Sequence, residues 1–124
     1  MPVHQPILPS QAIKLIEARD LAAAGIMLAD FAAAGLIKTY ALMREIRPAG
    51  EPPEMVRDSQ IPPEEWGRIV VSDKIDVALN GGTVRLEGSS FKGGTPSVQI
   101  TGISFSEASL IKVLDRYCAQ PSAC

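Results

Sequence analysis

The chain contains one histidine, His4. A histidine that is to serve as general base or triad member has to be held rigidly by its surroundings. His4 falls in residues 1–9, which together with 118–124 are expected to be mobile tails, so no catalytic role is expected of it. Glu64 and Glu65 are adjacent, and neighbours on a helix point apart, which makes them a poor acid and base pair. Asp73 and Asp76 flank Lys74 and offer two carboxylates to a divalent cation, but the further oxygen ligands such an ion needs are missing. Gly81-Gly82 and Gly93-Gly94 lack the following lysine and Ser/Thr of a phosphate-binding loop and read as turn glycines. No serine sits in a Gly-x-Ser-x-Gly elbow. Cys118 and Cys124 have no histidine near them to complete a zinc site, and free thiols are the expectation. No catalytic residue, cofactor or metal site is therefore expected.

The composition bounds the rest. The sequence is 124 residues long with 46% hydrophobic content, enough for one core of ordinary size. Acidic residues outnumber basic ones 14 to 12, for a net charge of -2, so no overall field draws the chain to nucleic acid or an anionic membrane. The N-terminus shows no basic start followed by an apolar core, and the cytoplasm is the expected compartment. Leu21 to Ile37 is the most apolar stretch; it is short for a membrane span and carries Asp30, so it reads as a core helix with no membrane role.

The elements that must position any site follow from periodicity and punctuation. Ser10 is a candidate N-cap for a helix from Gln11 to Arg19, with Ala12, Leu15 and Ile16 on one side. Asp20 can cap a second helix, with Leu21, Ala24, Leu28 and Phe31 on one face and Gly35 ending it. Its alanines and Gly25 allow another element to come close. Alternation over Thr39 to Ile46 suits a strand, although Ala41, Leu42 and Met43 leave a helical reading open, and the proline-rich stretch 47–60 reads as a connector. Ile61-Pro62-Pro63-Glu64-Glu65-Trp66 reads as a helical turn with Pro63 in first position and Trp66 inward. Asn80-Gly81-Gly82 between Asp76–Leu79 and Thr83–Leu86 predicts a β-hairpin. Ser89 to Pro96 predicts a looser turn, and Val98 to Phe105 a strand whose apolar set shifts across Gly102 as at a β-bulge. A final helix capped by Ser104 or Ser106 carries Leu110, Ile111, Leu114 and Tyr117. The expectation is a single α+β domain over 1–117: an N-terminal helical pair, a small antiparallel sheet built as a meander of three to four strands, and a C-terminal helix.

Three functional expectations survive. The alanine-rich helix has more apolar surface than one core face requires, and Leu21, Ile26, Met27 and Phe31 are candidates for an interface with a second copy, as a homodimer, or with another protein. The alternative is a small DNA-binding regulator: two helices and a hairpin resemble a winged helix-turn-helix, and Lys38, Arg44, Arg47 and Arg57 could meet phosphates. Against it, the helix that would enter the groove carries Asp30 and no lysine or arginine. A small-ligand pocket lined by Trp66, Tyr40 and Phe105 is the third.

Three stretches together resemble a loose class of small bacterial proteins of unassigned function that carry an Ile-Pro-x-Glu-x-Trp segment. They are Asp30 to Thr39, Ile61 to Trp66, and Ile103-Ser104-Phe105-Ser106-Glu107-Ala108 running into Leu110 and Leu114. The resemblance implies the element order and brings no activity, cofactor or binding residue.

Overall fold

The computed structural model describes residues 6–118. The elements are β1 (Pro6–Ile7), α1 (Pro9–Glu17), α2 (Ala24–Ala33), β2 (Thr39–Arg47) and β3 (Glu54–Gln60), then α3 (Pro63–Val71), α4 (Ile75–Leu79), β4 (Val84–Leu86), β5 (Ser97–Ser106) and α5 (Glu107–Cys118). This is an α+β fold: one antiparallel, five-stranded sheet with helices on one face and a helix at the C-terminal end. The sheet order β1-β5-β2-β3 differs from a simple meander, because the last strand inserts beside β2. β1 and β4 share the remaining edge of β5, β1 at Phe105 and Ser106 and β4 at Val98 to Ile100. Pairing of Pro6 with Ser106 also ties down the end of the segment expected to be a mobile tail.

Proline and glycine set most of the helix ends. Pro9 opens α1 one residue before the predicted Ser10 cap, and the Leu8 N–H is met instead by Gln11 Oε1 at 2.9 Å. α2 begins at Ala24, later than predicted, because Asp20 (φ 57°) and Ala23 (φ 53°) take left-handed conformations that break the path from α1. It closes as expected at Gly35 (φ 75°): Leu36 N–H donates to Phe31 O at 2.9 Å and Gly35 N–H to Ala32 O at 3.1 Å, the paired bonds of a Schellman end. Pro63 opens α3 with Glu64 and Glu65 in its first turn, as the sequence predicts. Ser106 caps α5, its Oγ accepting from Ser109 N–H at 3.2 Å.

Two segments depart from expectation. Residues 54–60 are not part of a connector but form β3, paired with β2 from Tyr40↔Gln60 to Ile46↔Glu54. β3 is an edge strand with its side chains mostly in water, so it shows little apolar alternation to read. The predicted hairpin is absent at 76–86: Asp76 to Leu79 is helical, and Ala78 and Leu79 are both buried although adjacent. Gly81 (φ 79°) ends that helix, with Gly82 N–H donating to Val77 O at 3.1 Å. A glycine with positive φ serves a helix end as well as a hairpin turn, and the dipeptide alone does not separate them. β4 instead pairs with β5 across the predicted 89–96 turn, which Arg68 clasps by donating to the carbonyls of Glu87 and Pro96, each at 3.0 Å.

The face change at Gly102 is real, but no residue is inserted. Ala41 pairs with Ile103 and Met43 with Thr101, so β2 and β5 each advance by two residues through the join. β3 keeps step, with Ala41↔Ser59 and Met43↔Arg57. Leu42, Gly102 and Asp58 thus form one transverse row at which three strands switch faces together.

The core lies between the sheet and the helices. Trp66 and Phe105, both fully buried, pack with ring centroids 5.6 Å apart, and Ile16, Leu28, Ile69, Ile100, Leu110 and Leu114 surround them. Trp66 Nε1 donates to Thr39 Oγ1 at 2.7 Å, which satisfies its indole N–H inside the core. Among the described residues no helix is long and apolar enough to cross a membrane.

Candidate interaction surface

α2 has apolar side chains on both sides. Ala24, Leu28, Ala29 and Ala32 face the core, where the small alanines admit α3 and α4. Gly25 shows how close the approach is: a Cβ there would lie 3.2 Å from Leu79 Cδ1. On the opposite side Ile26 is 57% exposed, and Met27 and Phe31 are only partly buried.

The structure gathers three of the four predicted interface residues into one place. Ile26, Met27 and Phe31 line a hollow of about 290 Å³ with Ala22, Ala23, Asp30 and Tyr117. Leu21 packs at the margin of the core and does not line it. Tyr117, expected in the buried stripe of α5, is 40% exposed and meets Phe31 edge to face at 6.4 Å. α5 is fixed there by Leu110 and Leu114 in the core and by an Arg19–Asp115 ion pair at 2.7 Å. The hollow is thus a groove between two well-anchored helices, with apolar and aromatic walls and, among the described residues, a single carboxylate, Asp30. Most of what this lining offers is apolar area, from Ala22, Ala23, Ile26, Met27 and Phe31.

The predicted phosphate contacts are dispersed. Lys38 stands exposed before β2, its backbone N–H donating to Ser109 Oγ at 3.0 Å. Arg44 is 8% exposed and turned inward, its Nε donating to Glu65 Oε1 at 3.0 Å and its Nη2 to Oε2 of the same carboxylate. Arg47 binds Glu45 at 2.5 Å on the same strand. Arg57 is exposed on β3. A guanidinium committed in both directions to a buried carboxylate is not available to a phosphate. The Arg44–Glu65 pair has no signature in the sequence, where Glu65 reads fully as a helix-start acid.

The expected pocket beside Trp66 is filled, since Trp66 and Phe105 pack directly on each other, and Tyr40 lies on the other face of β2 from buried Thr39. His4 and Cys124 lie outside the described residues. No known protein family, curated protein or solved structure matches the chain. Among the described residues, no group of three or more His, Cys, Asp or Glu side chains is placed to hold a metal ion. Cys118 is disulfide-bonded, which corrects the expectation of a free thiol at that position.

Proposed function

We propose that this protein is a non-enzymatic self-association module that pairs as a homodimer through the α2–α5 groove. One observation supports the reading above the others: α2 already contributes four residues to the core and still presents Ile26, Met27 and Phe31 outward beside Tyr117. Fully covering side chains of this size stabilises an association by about 1.5–3 kcal/mol each, before the loss of rotational and translational freedom is counted. A two-fold axis lets the same patch serve both copies, so Ile26 of one copy enters the groove of the other. Asp30 belongs at the rim, because two copies of it facing each other on the axis would repel; the axis therefore passes nearer Ile26.

Light scattering on a gel-filtration eluate at low micromolar concentration tests the reading. A mass of two chains supports it, and a strict monomer overturns it. A disulfide such as that at Cys118 persists mainly in oxidising compartments, which weighs against the cytoplasmic placement expected from the sequence.

A further inference from the structure

The row Asp58–Leu42–Gly102 solves one geometric problem twice. Gly102 takes φ 72° on β5, where a Cβ would come within 2.8 Å of the Leu42 side chain. Asp58 takes φ 48° on β3, although it has a Cβ and glycine would have met the bend without strain. The other non-glycine residues with positive φ, Asp20, Ala23 and Asp73, lie in turns or at a helix cap; among the described residues only Asp58 holds that conformation inside a strand. Backbone strain kept where it is avoidable points to a use for the side chain.

What the side chain faces gives that use. On the face of the sheet away from the helices, Asp58 opens onto a hollow of about 360 Å³ that it lines with Pro6, Tyr40, Ala41, Leu42 and Ser104. Pro6 and Leu42 make apolar walls, and Leu42 is 65% exposed. Tyr40 offers a ring, Ser104 a hydroxyl, and Asp58 the only charge among the described lining residues. Among the described residues its carboxylate forms no ion pair; Arg57, the nearest cation along the strand, sits in the next row opposite Met43 and does not line the hollow. A carboxylate repels anions, and a neutral apolar ligand would leave it without a partner. A protonated amine satisfies it and also gains from the face of an aromatic ring.

We infer that this hollow binds an organic ammonium ion, a compact apolar body carrying one protonated amine. The ammonium donates to the Asp58 carboxylate beside Tyr40, and the apolar body lies against Leu42 and Pro6. The site is on the far side of the sheet from the α2–α5 groove and does not depend on the dimer.

The test is a proton–nitrogen chemical-shift titration of the protein with 2-phenylethylamine, alongside 2-phenylethanol, which lacks the charge. The amine is expected to give saturable shifts at Leu42, Asp58 and Ser104, and the alcohol to bind at least tenfold more weakly. Asp58→Asn tolerates the same backbone conformation without the charge, so it is expected to keep its melting temperature and lose at least tenfold in amine affinity. Asp58→Gly is expected to lose affinity equally while melting higher, because the strain is relieved. Absence of saturable shifts, equal binding of the alcohol, or wild-type affinity in Asp58→Asn each overturns the inference.

Discussion

Arg44 on β2 and Glu65 on α3 clasp each other through two hydrogen bonds under the sheet, with side chains only 10% and 11% exposed. The pair joins the central strand to the helix that carries Trp66, one residue further on. Desolvating both charges offsets most of their attraction, so the pair adds little net stability while being hazardous to break.

Replacing one partner leaves the other charge buried alone. Arg44→Met is expected to lower stability by about 3 kcal/mol in urea unfolding, and the double variant Arg44→Met/Glu65→Leu to recover most of that loss. A single variant within about 0.5 kcal/mol of wild type would show that water reaches the pair freely.

Ser59 points the opposite way in energetic terms. Its Oγ is buried with no hydrogen-bond partner, on the strand next to Ala41. Ser59→Ala removes that unmet group and is expected to raise stability by about 1 kcal/mol, read as a higher urea midpoint at unchanged slope. A lower midpoint would mean that the hydroxyl is satisfied in solution.

Gly102 and Gly50 separate two costs of adding a methyl group. Both have positive φ, 72° and 75°, but a Cβ at Gly50 meets nothing within 4 Å, whereas one at Gly102 strikes Leu42. Gly50→Ala is expected to cost about 1 kcal/mol from backbone strain alone, and Gly102→Ala at least about 2 kcal/mol, both measured by urea unfolding. Equal losses would mean that the three-strand row relaxes easily.

Which features were legible in the sequence follows from where their signals lie. Pro63, Gly35 and Ser106 act within a few residues of themselves, so the start of α3, the end of α2 and the cap of α5 could be read locally. Trp66 inside and the strand at Thr39 were readable for the same reason. β3 could not be read, because an edge strand is held by backbone bonds to β2 and needs no apolar alternation. Asn80-Gly81-Gly82 misled because its positive φ closes a helix as readily as a hairpin, and what decides is the simultaneous burial of Ala78 and Leu79 against the core. The insertion of β5 beside β2 is a long-range choice with no local mark. At the candidate surface, Ile26, Met27 and Phe31 were legible as excess apolar residues on one helix, while Tyr117, which completes the groove, reads in sequence as a core position of α5.

The account rests on the outward side of α2, and one paired comparison tests it. Ile26→Asp places a charge in the groove without touching the buried stripe, and Leu42→Asp places the same charge on the far face of the sheet as a control. Sedimentation velocity at low micromolar concentration is expected to find wild type and Leu42→Asp as dimers and Ile26→Asp as a folded monomer. A dimer that survives Ile26→Asp, or wild type that sediments as a monomer, contradicts the account.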